Sequence, residues 1–510
     1  MIARAARSSG ALRGFITVSI MLATVMQVLD TTIANVALPH MQGSLSATQD
    51  QISWVLTSYI VAAAIMTPPT GFLAARFGRK RLFAVAVAGF TLSSMLCGAA
   101  TSLEEMVLFR LLQGAFGAAL VPLSQSVLLD TFPKEKHGQA MAIWGVGIMV
   151  GPILGPTLGG YLTETYNWRW VFYINMPVGI LALLGILAFV PETELDRKRG
   201  FDLFGFSLLS LGIAALQLML DRGQTLDWFG SWEIIIEAAA SGLFFYMFLA
   251  HILTADRPFL DLALFKDRNF ALGLVFIFVV GTILLATLAL LPPFLENLMN
   301  YPVLTTGYVL APRGAGTMVA MMLVGRLIGR IDTRWLILTG LGLTAGSLWE
   351  MTQFTTDIGV WTIVHTGIIQ GLGLGFIFVP LTTSAFATLA PQYRTDGTAM
   401  FSLMRNLGSS IGVSIVMTLL AQETQANHAI LAASATPFRA ALAKPWLPHA
   451  WDWTNAAGAT ALSDAVTQQA ATIAFLDDFT LMMWVALLSI PLLLLMRPSR
   501  RQAAAAAVAE

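Results

Sequence analysis

Runs of about 20 apolar residues, long enough to cross a ~30 Å hydrocarbon core, recur along this chain with short polar breaks between them. They predict fourteen membrane-spanning helices, at 14–38, 51–75, 82–100, 104–128, 138–162, 170–190, 203–221, 232–253, 270–293, 303–325, 335–353, 361–389, 395–420 and 475–497. Polar positions inside such runs are informative. An ionised Asp at a bilayer centre costs roughly 2.5–3.5 kcal/mol on insertion scales, so it is kept where it faces a cavity or a partner. Asp30 lies about two-thirds of the way along the first run, in VLDTTIANVALP at 28–39. Gln27, Thr31 and Asn35 recur every fourth residue beside it, which stacks them as a polar stripe expected to face inward. Asp30 is therefore a candidate proton or ligand site.

The pattern also repeats at long range. GFLAARFGRKRL at 71–82 matches GRLIGRIDTRWL at 325–336, and the same offset carries Pro39 onto Pro293. Gln113-Gly114 with Val121-Pro122-Leu123 recurs as Gln370-Gly371 with Val379-Pro380-Leu381, and Gly138, Ala140 and Met141 recur as Gly397, Ala399 and Met400. Two duplicated six-helix bundles explain these matches. Spans seven and eight fall between the copies, so the expected organisation is six plus two plus six: a tail at 1–13, a bundle at 14–190, two additional helices at 203–253, a bundle at 270–497 and a tail at 498–510. Residues 421–474 form the longest loop, an outer one carrying Trp446, Trp451 and Trp453; a loop of this length is usually functional or disordered. Parallel repeats place a substrate site between the two halves near the midplane.

Composition sharpens this picture. With 56% hydrophobic and 11% charged residues in 510 and a mean hydropathy of +0.73, the chain reads as an all-α polytopic membrane protein. Equal numbers of basic and acidic residues, 29 each, argue against a nucleic-acid partner. A lone Cys97 excludes a disulfide framework, and the six histidines show no metal-ligand spacing, so neither metal nor cofactor is expected. Of the 29 Lys and Arg, 22 lie in tails and loops on the N-terminal side, four lie opposite and three (Arg110, Arg313, Arg405) lie within spans. By the positive-inside rule both termini are cytoplasmic. The first run is too long for a signal-peptide core and reads as an uncleaved span.

Arg110 stands in FRLLQGAFGAA of the fourth span with Gln113, Gly114 and Gly117 on its face. A guanidinium keeps its proton, so inside a membrane it needs an anion or an aqueous cavity. Set near Asp30, it would favour the carboxylate while desolvation favours the acid, a balance that lets a small rearrangement load or release a proton; a fixed ion pair, or an Arg bonded to carbonyls, is the plainer alternative. The fifth span carries Gly147, Gly151, Gly155 and Gly159 at strict four-residue spacing, with Pro152 and Pro156 interleaved, a flat ridge for close helix approach. Gly71, Arg76, Gly78, Arg79 and Lys80 join spans two and three and suggest a gate or latch beyond mere positive-inside charge. Further cavity candidates are Arg313, Glu350, His365, Gln370, Arg405 and Asn406; Glu350 and His365 are equally compatible with interfacial or locally satisfied groups, while the arginines lie deeper and cannot neutralise.

The first-span motif, the Arg110–Gly114 segment and the span-five ridge resemble the major facilitator superfamily, and within it the fourteen-span drug:proton antiporters. QLMLDRGQTLDWF at 217–229 and FVPLTT at 378–383 are more particularly similar to inner-membrane members of tripartite efflux pumps. The resemblance covers nearly the whole chain. It implies the major facilitator fold and export of lipophilic toxic compounds in exchange for protons across a bacterial inner membrane. Asp30 and Arg110 would be the coupling pair, with a periplasmic membrane-fusion adaptor and an outer-membrane channel as partners. One departure is Ala75, where the family usually has an Asp; the latch would lack its carboxylate. Competing readings are an importer or exporter of a specific metabolite on the same fold, an ATP-driven pump, disfavoured by the absence of any Gly-Lys dipeptide for a P-loop, and a membrane enzyme resting only on the spacing of His251 and Asp256.

Overall fold

Within hydrocarbon every backbone N–H and C=O must be bonded inside its own segment, and the apolar runs accordingly form helices. The computed structural model describes residues 10–193, 195, 196, 200–256, 258–434 and 456–497. Its long helices are α1 (Gly10–Ser44), α2 (Trp54–Met66 and Thr70–Phe77), α3 (Arg79–Ala99), α4 (Leu103–Thr131), α5 (His137–Thr165), α6 (Trp170–Phe189), α7 (Leu203–Arg222) and α8 (Trp232–Thr254). There follow α9 (Arg268–Pro293), α10 (Val303–Leu327), α11 (Thr333–Met351), α12 (Val360–Ala387), α13 (Arg394–Ser434) and α14 (Ala456–Ser489). Among the described residues there is no strand, only an isolated bridge between Ile328 and Ile331.

Twelve helices are long and apolar enough to cross a membrane, or thirteen with the two pieces of α2 taken as one span. The 19-residue α11 occupies the eleventh expected position but falls outside those criteria, and it is the difference from the expected fourteen. The unbroken second span expected at 51–75 is instead bent by 57° between Met66 and Thr70, where Pro68 and Pro69 supply no backbone N–H. The expected loop 421–474 is helical on both flanks: α13 runs to Ser434 and α14 begins at Ala456. At 1.5 Å per residue, the 41 residues of α13 reach about 60 Å, roughly twice the hydrocarbon thickness. Trp446, Trp451 and Trp453, residues 1–9 of the tail expected at 1–13 and the tail expected at 498–510 lie outside the described residues, while 10–13 already belong to α1.

α1 packs against α5 and α6, α2 against α4, and α3 against α4 and α6; in the second half α9 packs on α13, α10 on α12, and α11 on α12 and α14. The end carrying the α2–α3 loop also carries the start of α1 and the residues that follow α14: Phe15 stacks on Phe189 at 4.9 Å, Lys80 donates its backbone N–H to Glu192 at 3.3 Å, and Asn269 bonds the carbonyl of Arg497 at 3.2 Å. At this end the halves close on each other. Ser126 meets Thr395 at 3.0 Å, Trp144 stacks on Phe378 with centroids 5.8 Å apart, and a Cβ on Gly325 would stand 2.7 Å from that of Ala142. At the opposite end α7 ties the halves together. Its Asp221 accepts from Thr57 of α2, its Leu220 carbonyl accepts from Ser414 of α13 at 2.9 Å, and Trp228 beyond it donates to Thr418 at 3.0 Å.

Candidate functional site

α1 turns Asp30 into the first bundle, where it is 2% exposed, rather than into the space between the halves. One carboxylate oxygen, Oδ2, accepts from Arg110 at 2.8 Å; the other, Oδ1, accepts from Gln113 Nε2 at 2.9 Å and Asn175 Nδ2 at 2.6 Å. Arg110, 1% exposed, also donates to Gln113 Oε1 at 2.8 Å and through Nε to the Val55 carbonyl at 3.0 Å. Its guanidinium carbon lies 4.3 Å from the centroid of Tyr59 and 5.7 Å from that of Phe172. Asn175 is held in turn by Ser94 at 2.9 Å, and Ser94 donates to the Phe172 carbonyl. Three donors converge on one carboxylate, so the ionised form is fully satisfied here; buried charges survive when paired and hydrogen-bonded. Protonating Asp30 would require at least one donor to leave or turn round, which an amide can do because its carbonyl oxygen accepts.

Asn175, Ser94 and Tyr59 are missing from the sequence-derived candidates. Asn175 follows a one-residue break at Ile174 inside α6, where a polar residue reads as a local helix start; its partner lies far back in the chain, beyond any local pattern. The stripe beside Asp30 is looser than expected. Gln27 donates to Tyr59 Oη at 3.0 Å, Thr31 bonds its own helix through Val28 O at 2.7 Å, and Asn35 is exposed.

The span-five ridge lies against the other side of α1. A Cβ on Gly151 would sit 2.6 Å from Val28 Cγ1 and 2.9 Å from the Val28 carbonyl carbon; Gly147 abuts Met21, Gly155 abuts Thr32, and Gly159 faces Ile33 O at 3.3 Å. Thr32 Oγ1 donates to Gly151 O at 3.1 Å, one of the short polar cross-links that a small-residue ridge permits. Pro152 is half-buried and Pro156 exposed. Asp30 thus sits on a helix gripped between the ridge behind it and Arg110, Gln113 and Asn175 in front.

The α2–α3 loop does have carboxylate partners, despite Ala75. Arg79 pairs with Asp130 at the end of α4, and the same carboxylate pairs with Arg394 at the start of α13, across the two halves. Gly78, at φ +93°, takes a conformation that favours glycine and abuts Glu192, while Gly71 abuts Asp396 closely enough that any Cβ would overlap it. The expectation that a missing loop acid leaves the latch without its carboxylate is corrected: the acids come from α4, α13 and the segment after α6. Arg76, in the last turn of α2, is exposed.

In the second half, Arg313 is 5% exposed and Gln370 fully buried; Arg405 is half-buried and Asn406 exposed. Glu350 and His365 form a solvent-accessible pair at 3.4 Å. His251 bonds Asp202 at 2.8 Å rather than Asp256, and Asp202 caps α7 through Gly205 N–H at 2.8 Å, a structural arrangement. Two further acids were not singled out from sequence: Asp221 on Thr57, and Asp478 of α14, 1% exposed with neither carboxylate oxygen bonded among the described residues. An acid inside the last apolar run, 475–497, was the available signal for Asp478.

The sequence profile of the Major Facilitator Superfamily matches residues 20–413 and 274–498. The chain belongs to the major facilitator superfamily. Among its relatives, the fatty acid resistance protein FarB of Neisseria gonorrhoeae is 38% identical over 434 residues, 85% of this chain and 86% of that one. The multidrug export protein EmrB of Escherichia coli strain K12 is 37% identical over 432 residues, 84% of each. The solved structure of the proton:xylose symporter XylE superposes with a TM-score of 0.59 at 14% identity, covering 94% of this chain and 96% of that one, which bears on the fold alone. This major facilitator protein is an EmrB-like membrane transporter and not an enzyme.

Proposed function

We propose that this transporter is a proton-coupled antiporter that expels lipophilic compounds across the inner membrane of a bacterium, with both termini cytoplasmic. The observation that carries the reading is the position of Asp30. A single buried carboxylate, held by three donors, stands on the helix that the α5 ridge grips from behind. Proton loading at Asp30 weakens its attraction to Arg110 and frees α1 to shift along the ridge, so protonation and helix movement become one event. Inward movement of one charge releases about 2.3 kcal/mol per 100 mV of membrane potential, sufficient to drive export without ATP. The names of EmrB and FarB favour lipophilic cargo, and the α5 ridge favours export over import. The experiment is uptake of a lipophilic dye into inverted vesicles under an imposed proton gradient: an exporter loads them, and an importer of a specific metabolite does not.

The latch at the inner end belongs to the same cycle. Asp130 pins Arg79 of one half and Arg394 of the other, so it stabilises the state in which the inner end is closed. Replacing it as Asp130→Asn should shift the conformational balance toward inner opening by about 3- to 30-fold, from two ion pairs worth up to ~1 kcal/mol each. Spin labels on the inner ends of α4 and α13 would report this as growth of a longer-distance population, and unchanged distances would remove Asp130 from the latch.

The long α13 and α14 support a periplasmic adaptor and, through it, an outer-membrane channel as partners, since their outer parts extend beyond any bilayer. Co-purification of a membrane-fusion adaptor with the whole chain, and its loss when 435–455 are deleted, is the expected result; retention by the deleted chain would place docking elsewhere.

A further inference from the structure

The internal repeat exposes an asymmetry between the halves. The offset that carries Pro39 onto Pro293 carries Asp30 onto Leu284 and Tyr59 onto Arg313, and the one that carries Gln113 onto Gln370 carries Arg110 onto Gly367. At these corresponding positions the second half therefore has a guanidinium and a glutamine but no carboxylate. Its arginine has also moved. In the first half Arg110 projects from α4 onto the ring of Tyr59; in the second, Arg313 projects from α10 beside Gly367, whose added Cβ would stand 3.6 Å from that of Arg313.

Among the described residues the moved arginine has no counter-ion. Its NH2 reaches only the Leu284 carbonyl, at 3.4 Å, and its NH1 is buried with no partner among the described residues. Gln370, the counterpart of the glutamine that holds Asp30, makes one long contact to Thr287 Oγ1 at 3.4 Å, and its Oε1 has no partner either. Gly281, about one turn before Leu284 on α9, packs on the backbone of Arg405, and among the described residues Arg405 has no ion-pair or hydrogen-bond partner. A buried guanidinium without an anion is costly, and an arginine inside a membrane marks a ligand path by default.

We infer that Arg313 and Gln370 form a carboxylate-binding subsite in the second bundle, occupied by the head group of an amphiphilic acid whose tail lies among the apolar side chains between the halves. The inference rests on the export reading above and specifies its cargo: lipophilic compounds bearing an anionic group are preferred over neutral ones of the same shape. Arg313 supplies the charge, Gln370 a donor from its amide, and Arg405 further positive potential.

The test is binding to the full chain in nanodiscs of zwitterionic lipid in methanesulfonate buffer, followed by calorimetry, with dodecanoate and dodecanamide as probes. In the wild type, dodecanoate is expected to bind about tenfold or more tightly than the amide, as charge-assisted hydrogen bonds require. Arg313→Gln should erase that preference with amide affinity unchanged, which also shows that the variant is folded, and Arg313→Lys should retain part of it. Equal binding of acid and amide by the wild type overturns the inference, as does a preference that survives in Arg313→Gln. Loss of the preference when chloride replaces methanesulfonate, or when anionic lipid is added, assigns the subsite to a resident ion or a lipid head group and also overturns it. Binding needs no gradient, so an intact acid preference without gradient-driven transport would sink the export reading and spare this one.

Discussion

Asp30→Asn is expected to abolish proton-driven accumulation while leaving a folded protein that still binds its cargo. At 100 mV one inward charge releases about 2.3 kcal/mol, which sustains about a fiftyfold concentration ratio of a neutral substrate. The variant should bring that ratio to one, because an amide neither gains nor loses a proton in the accessible range. Its effect on the fold is less severe than a truncation. The new carbonyl oxygen still accepts from Arg110, the new amide can face Asn175 once that side chain turns its own oxygen inward, and Arg110 keeps Val55 O, Gln113 and the Tyr59 ring. Breaking a buried ion pair nevertheless costs about 3–5 kcal/mol when one charge is left alone, so lower expression and a reduced Tm accompany the loss. Vesicles loaded with purified wild type and variant, given the same pH jump, make the measurement. A variant that still accumulates dye removes Asp30 from the coupling mechanism, whatever the fold.

Helices were legible in this sequence to within a few residues over most of the chain, because hydrocarbon enforces both length and internal hydrogen bonding on every segment that crosses it. α6, for instance, was expected at 170–190 and found at Trp170–Phe189. The exceptions have local causes: two consecutive prolines bend α2, and α13 and α14 run on where the composition turns to Ala, Thr and Gln, good enough helix formers once a neighbouring helix supports them. The site was half legible. Asp30, Arg110 and Gln113 stand out because polar groups are rare in apolar runs. Asn175 and Ser94 are equally buried, but a neutral amide or hydroxyl carries a far smaller burial penalty than a charge and gives no reason for notice. Arg79 was placed in the gate loop, yet its partner Asp130 lies at the far end of α4, so the absence of an acid at Ala75 suggested a deficit that the folded chain does not have. Pairing across the bundle, not the composition of any segment, decides these roles.

Gly151→Leu is expected to have the second large effect, and through packing rather than charge. Even a methyl group at this position would stand 2.6 Å from Val28 Cγ1 and 2.9 Å from the Val28 carbonyl carbon, and the backbone cannot withdraw without moving α1. Overpacking of this kind costs about 1–3 kcal/mol, enough to lower Tm by several degrees. The functional loss should be greater than the stability loss. α5 lies between α1 and the second bundle: Gly145 would meet Met321 Sδ at 2.6 Å, Gly138 would meet Ile328 Cγ2 at 2.9 Å, and Ile153 abuts Gly314. A wedge between α1 and α5 therefore displaces both the Asp30 network and the contact across the halves, and any sliding of one helix on the other is blocked. Gly160 provides the control, since a Cβ there meets nothing within 4 Å. Gly160→Ala should transport as the wild type does, Gly151→Ala should be slowed, and Gly151→Leu should bind cargo yet fail to move it. Transport by Gly151→Leu at the wild-type rate would show that the ridge is packing alone and that the helices part somewhere else.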